Sequence, residues 1–184
     1  YTVPSNVYCA VYQEELCGYM AGYAAVKLGY THLGVLGGMA VPAVQRFGYG
    51  FVQGADAAAV EMGIADQVVM EYVYGNQVFG DSDITAYMVF ASGGGIYTSA
   101  AEAAAKVGGK LIGVDVDQSG NINTYGEGMC VTSAMKGLAE TVKHMLGEVV
   151  AGSFANYGGQ VETLGLVSGD DPTANYVQLP MEST

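Results

Sequence analysis

One unit recurs along this chain at roughly 30-residue spacing: a short apolar run rich in β-branched residues, a glycine-bearing or acidic turn, then a helical pattern. His32–Leu36 leads into Gly37-Gly38-Met39-Ala40-Val41-Pro42 and a helix expected over Ala43–Met62. Gln67–Tyr72 leads into the loop Val73–Asp81 and a short helix over Asp81–Tyr87. Met88–Ala91 leads into Ser92–Thr98 and a helix over Ser99–Val107, and Lys110–Val114 runs directly into Asp115-Val116-Asp117-Gln118. Ahead of them Asn6–Tyr12 reads as a strand, and Gln13-Glu14-Glu15 opens a helix through Leu16–Leu28. Repetition of this kind predicts an α/β fold with a doubly wound parallel sheet, because a crossover helix must return each strand to the same direction.

In such a sheet the loops after the strands gather at one edge, where ligands bind. Gly37–Pro42, Tyr74–Phe79, Ser92–Thr98 and Asp115–Gln118 are therefore expected to form one cleft wall. The turns Gly37–Pro42 and Gly93-Gly94-Gly95 let backbone approach a ligand closely, and N–H groups at the helix start can donate to it. Neither turn is a dinucleotide fingerprint or a P-loop. Asp115 and Asp117 bring carboxylates to the strand end. Read alone, that stretch fits an acidic turn, a metal site, a catalytic pair or hydroxyl recognition.

Composition narrows the classes. The 184 residues are 51% hydrophobic and 13% charged, enough apolar material for a large core. A net charge of -12 argues against a nucleic-acid partner and against docking on an anionic membrane surface. No apolar run reaches the ~18 residues of a membrane-spanning helix. Tyr1-Thr2-Val3-Pro4 has none of the marks of a leader, so the expectation is a cytoplasmic chain or one whose signal has been removed. Cys9, Cys17 and Cys130 show neither CxxC nor Cys/His spacing, so they read as small buried hydrophobes, and no metal or cofactor is implied.

Other polar residues carry simpler expectations. Glu14 and Glu15 suit the positive end of a helix dipole. Arg46, the single arginine, is expected in a surface ion pair. Phe47, Phe51, Ala55, Ala58 and Met62 fall on one helical stripe facing a core. Ser119–Gly128 reads as a connector and Cys130–Ser133 as a strand tip. Thr132 or Ser133 is expected to cap a helix over Ala134–Val150. That places Lys136 in a first turn, where the dipole disfavours a cation, which suggests either a role in holding ligand oxygens or plain exposure. Gln160–Val167 and Asn175–Leu179 are further strand candidates.

The ordered set of these stretches resembles a known family. Tyr12–Glu15 with Gly18–Gly22, Leu36–Gly38, Arg46–Ala55, Ala91–Gly95, Ile112–Gln118 and Val131–Lys136 resemble the basic membrane protein (Med-like) lipoproteins. These are substrate-binding components of ABC importers, related to the purine nucleoside receptor. The resemblance implies the type I periplasmic-binding-protein fold, with two α/β lobes, three crossovers and a ligand between the lobes. On that plan residues 1–118 are mostly the C-terminal lobe, residues 119–155 cross back with a helix of the N-terminal lobe, and residues 156–184 carry the final strands and last crossover. A preceding lobe, a signal peptide and a lipid-bearing cysteine are expected ahead of Tyr1. The resemblance further implies that Asp115 or Asp117, with Lys136, holds ribose hydroxyls, that Gly93, Gly94 and Gly95 line the ligand with backbone, and that Phe79 stacks on a base; Met39 is a further candidate contact. It implies a small-molecule ligand, permease subunits as partners, an extracytoplasmic location and no catalysis. The alternatives are a nucleotide-sugar or metal-binding enzyme using Asp115-x-Asp117, and the effector-sensing domain of a regulator.

Overall fold

The computed structural model describes residues 2–75 and 85–182. Its centre is a six-stranded sheet. In chain order the strands are β1 (Cys9–Tyr12), β2 (His32–Gly37), β3 (Val69–Tyr74), β4 (Met88–Ser92), β5 (Lys110–Asp115), β6 (Cys130–Lys136), β7 (Val161–Leu164) and β8 (Val177–Gln178). The helices are α1 (Glu14–Lys27), α2 (Pro42–Met62), α3 (Tyr97–Val107), the single turn α4 (Ser119–Ile122) and α5 (Leu138–Val150). The large sheet has the order β3-β2-β4-β5-β6-β8, with every pairing parallel except β6 with β8. Strands β1 and β7 pair in parallel as a separate two-stranded sheet.

The central strands form because their residues are apolar on both faces, as a sheet covered on both sides requires. Leu33, Val35, Met88, Phe90, Ile112 and Val114 pack on one face against α1 and α2. Leu36, Val89 and Ala91 face the other way with Ile96, and Leu111 packs there against Ala101 and Ala104 of α3 and Ile122 of α4. At the heart of the first layer the Phe90 ring stacks on Phe51, with centroids 5.0 Å apart, and meets Phe47 edge-on at 5.9 Å.

Helices α1 and α2 mesh through glycine. A Cβ on Gly18 or Gly22 would run into the carbonyl of Phe47 or Phe51, and one on Gly50 or Gly54 would run into that of Glu15 or Tyr19. The two backbones thus touch over two turns, and no larger side chain fits between them.

Several boundaries differ from expectation, each for a physical reason. The strand over Gln67–Tyr72 is shifted to Val69–Tyr74, in register with β2 from His32↔Val69 to Gly37↔Tyr74. Met62 is 42% exposed, because the core stripe of α2 ends at Ala58 and Ala59. The helix expected over Asp81–Tyr87 falls mostly outside the described residues, and Thr85–Tyr87, which are described, are not helical. The expected connector after Gln118 contains α4.

The largest correction concerns Thr132, Ser133 and Lys136. They do not cap or begin a helix; they continue β6, which pairs with β5 through Ile112↔Thr132, Val114↔Ala134 and Asp115↔Met135. Cross-strand pairing in a buried sheet outweighs the capping preference of Thr and Ser and the helix preference of Ala, Met and Lys. The sheet therefore continues past β5, and the chain leaves it after Lys136, at Gly137, which precedes α5. The strand over Gln160–Val167 is shorter and joins β1 rather than the large sheet. Cys17 and Cys130 are buried as expected, while Cys9 is half-buried.

Candidate functional site

Strands β2, β4 and β5 end side by side, so their loops share one edge. The two glycine-rich turns touch there: the Gly38 N–H donates to the Ser92 carbonyl at 2.9 Å, and a Cβ on Gly38 would lie 3.2 Å from the Gly93 Cα. Gly93 is half-buried, Gly94 and Gly95 are exposed, and Met39 is 42% exposed at the same rim. Phe79 lies outside the described residues.

Asp115 is the last residue of β5 and has an unusual backbone. Its φ is 68°, the left-handed region, and it is the one non-glycine residue with positive φ among those described. The Val116 N–H donates to the Val114 carbonyl at 2.8 Å, closing a three-residue turn around Asp115. Two buried side chains hold this turn. Gln118 Oε1 accepts from the Val114 N–H at 3.0 Å, and Ser133 Oγ accepts from the Gln118 N–H at 3.1 Å. A non-glycine residue kept in a sparsely populated conformation costs about 1–3 kcal/mol and tends to occur where the side chain has a task. Asp117 differs. It is exposed, and its Oδ1 accepts from the Ser119 N–H at 3.0 Å, opening α4.

Lys136, at the end of the neighbouring β6, meets Asp115. Its Nζ is 2.8 Å from Asp115 Oδ1 and 3.7 Å from Glu14 Oε1. The ammonium also sits 5.3 Å from the Phe47 ring centroid and 5.9 Å from that of Tyr12, and its side chain is only 15% exposed. Strand geometry sends it into the cleft edge; a helix start would have left it in solvent.

No local pattern points to what Glu14 does. It lies in the first turn of α1, as expected of a dipole-stabilising acid, yet it is 2% exposed. Its Oε2 accepts from Arg46 Nε at 2.6 Å, and Arg46 is also 3.8 Å from Glu15. Arg46 is thus not a plain surface pair but the partner of a buried carboxylate. Beneath them the Cys17 thiol, which donates to the Glu14 carbonyl, is pushed up to about 12 by burial and by the Glu14 charge, so it is inert. The signal that could have exposed the cluster is compositional: with six cations in the chain, two of them on apolar stretches need partners.

The assembled edge presents carboxylate acceptors and an ammonium donor above aromatic faces, flanked by backbone from two glycine turns. That arrangement can hold a small polar molecule by charge-assisted hydrogen bonds. Among the described residues no group of three or more His, Cys, Asp or Glu is placed to hold a metal ion.

The family described as ABC transporter substrate-binding protein, PnrA-like, matches residues 1–170. Basic membrane protein B of Borreliella burgdorferi is 28% identical over 181 residues, covering 91% of this chain and 50% of that protein. The chain therefore spans about half the length of the curated relative it matches. Among solved structures, an ABC transporter solute-binding protein from Aeropyrum pernix K1 superposes with a TM-score of 0.71 at 18% identity, covering 93% of this chain and 49% of that one. A transcriptional activator of the comK gene from Bacillus halodurans gives 0.68 at 17% identity, covering 95% and 58%. A periplasmic binding protein/LacI regulator from Alkaliphilus metalliredigens, solved with D-xylulofuranose, gives 0.56 at 15% identity, covering 98% and 66%. The fold is that of the type I periplasmic binding proteins, and the chain belongs to the PnrA-like family of ABC transporter substrate-binding proteins.

Proposed function

We propose that this chain forms one wall of a solute-binding cleft in the substrate-binding component of an ABC importer, and that the solute is a nucleoside, a purine nucleoside foremost, or another ribose-like compound. The observation that carries this reading is the pair Asp115–Lys136, 2.8 Å apart on adjacent strand ends, with Asp115 held in a left-handed turn. A carboxylate beside an ammonium matches vicinal hydroxyls, which donate to the first and accept from the second. Charge-assisted hydrogen bonds of this type contribute about 1.5–3 kcal/mol each. In this reading Gly93, Gly94 and Gly95 line the solute with backbone and Met39 closes the rim. Asp117 serves the local turn.

The protein does no chemistry on its solute. It delivers it to the permease subunits of an importer outside the cytoplasm, tethered by an N-terminal lipid anchor. No helix among the described residues is long and apolar enough to cross a membrane. The six-stranded sheet with α1–α4 is one lobe; β1, β7 and α5 belong to the other, and the solute sits where the two meet.

Calorimetric titration of the full-length protein with adenosine, guanosine and inosine tests the solute class. Saturable heat with at least one is expected, and silence with all three rejects the nucleoside reading. Asp115→Ala is expected to abolish that heat with the thermal midpoint kept, while Asp117→Ala retains it. The likeness to the comK activator supports a second reading, the effector domain of a regulator. A lipid-attachment cysteine upstream in the gene decides for the transporter, and a basic helix-turn-helix decides for the regulator.

A further inference from the structure

Glu14 has no role in that reading, yet it is the most deeply buried carboxylate at the edge. It lies between the two cations of the cluster, 2.6 Å from Arg46 and 3.7 Å from Lys136. Lys136 has Asp115 as its other carboxylate, and Arg46 has Glu15. The cluster therefore holds three carboxylates against two cations, and both cations are already matched. Glu14, with 3% of its side chain exposed, is enclosed and cannot turn away to free either cation. Asp115, at 39%, and Glu15, at 40%, are more exposed side chains, although the oxygens they turn toward the cations, Asp115 Oδ1 and Glu15 Oε2, are buried.

Resting on the assignment of this edge as the solute site, we infer that Glu14 is a specificity-determining residue, which admits neutral polyhydroxylated solutes and excludes phosphorylated ones. A phosphate monoester brings roughly two negative charges at neutral pH. To bind beside Lys136 it would have to draw on positive charge that the enclosed Glu14 already holds and cannot release. Rejection of a charged competitor by a fixed like charge is a common route to selectivity, because the repulsion acts only on the wrong partner. A neutral ribose meets no such penalty, since its hydroxyls need only the acceptors and donors that the edge presents.

The test is Glu14→Gln in the full-length protein, which keeps the shape and an acceptor for Arg46 while removing the charge. Adenosine, AMP and inorganic phosphate are titrated into both proteins by calorimetry, with thermal melts alongside. The native protein is expected to take adenosine and neither anion. In Glu14→Gln the affinity for AMP relative to adenosine should rise about tenfold or more, the scale of one unmatched charge in a half-buried site. Inorganic phosphate should then bind saturably, and adding Lys136→Met should remove both gains. A folded Glu14→Gln protein with unchanged AMP preference and no phosphate uptake overturns the inference.

If Glu14→Gln does not fold, Asp115→Asn decides, because it strips Lys136 of its exposed partner and leaves Glu14 in place. That variant should stay closed to inorganic phosphate, and phosphate binding by it contradicts the assignment to Glu14. A native protein that ignores adenosine while Glu14→Gln gains phosphate sinks the nucleoside reading and leaves this one standing.

Discussion

The α1–α2 layer and the α5 region solve the same problem differently. Both place helices beside parallel strands. In the first, four glycines bring two helix backbones into contact, and Phe47, Phe51 and Phe90 fill the space down to the sheet. In the second, α5 lies beside the small β1–β7 sheet and carries Leu138, Val142, Leu146 and Val149, which are 39%, 58%, 59% and 56% exposed. Among the described residues an apolar hollow remains between this helix and Tyr8, Ala10 and Tyr12. One region is packed to its limit and the other holds apolar surface in reserve. The charged cluster lies where they join: Glu14 begins α1 directly after β1, Lys136 ends β6 just before α5, and Tyr12 donates to Thr141 Oγ1 across the junction at 2.7 Å. On the proposed solute-binding role, a site between a tightly packed layer and a less packed one would suit closure on a solute.

The contrast can be broken by mutation, and the largest effect belongs to the packed layer. Phe90→Ala should lower unfolding free energy by about 3–5 kcal/mol, read from urea denaturation, because Phe90 is fully buried between two rings. Gly54→Ala or Gly22→Ala should cost about 1–3 kcal/mol, since each new methyl meets a carbonyl that cannot move without parting the helices. Gly147→Ala, in the exposed middle of α5 with nothing near its added methyl, should instead stabilise by about 0.5–1 kcal/mol. Equal signs for the glycine substitutions in α1 or α2 and in α5 would show that the two regions are not packed differently.

The smallest effect is a pH dependence in the looser region. The Tyr8 phenol is pushed up by burial and by its hydrogen bond to Glu162, which ties β1 to β7. A group whose folded pKa exceeds its unfolded value of about 10 stabilises below that pH and loses the contribution as pH rises beyond it. Tyr8→Phe should therefore flatten the stability loss above about pH 10, measured by the thermal midpoint across alkaline buffers. A slope identical to that of the native protein would show that this bond does not hold the small sheet together.

Legibility followed the same division. Strands β2, β4 and β5 and helices α2 and α3 were readable to within two residues, because runs buried on both faces look apolar throughout. The Asp115 edge was readable because strand ends in a parallel sheet share a side. The junction was not. Thr132 and Ser133 look like helix caps, and only their pairing with β5 across the sheet makes them a strand, with Ser133 Oγ accepting from the Gln118 N–H instead of from a helix start. Glu14 and Arg46 are 32 positions apart, so no local pattern announces their bond. The left-handed turn at Asp115 depends on Gln118, whose side chain reaches back to Val114. Local propensity carries the elements, whereas the contacts that make a site come from the tertiary fold.

The most direct test of the central claim is a crystal structure of the full-length protein with the nucleoside that binds it best. The account predicts a ribose whose two vicinal hydroxyls lie within about 2.6–3.0 Å of the Asp115 carboxylate and the Lys136 ammonium. A solute bound elsewhere, or held with Asp115 and Lys136 still paired only to each other, would contradict it.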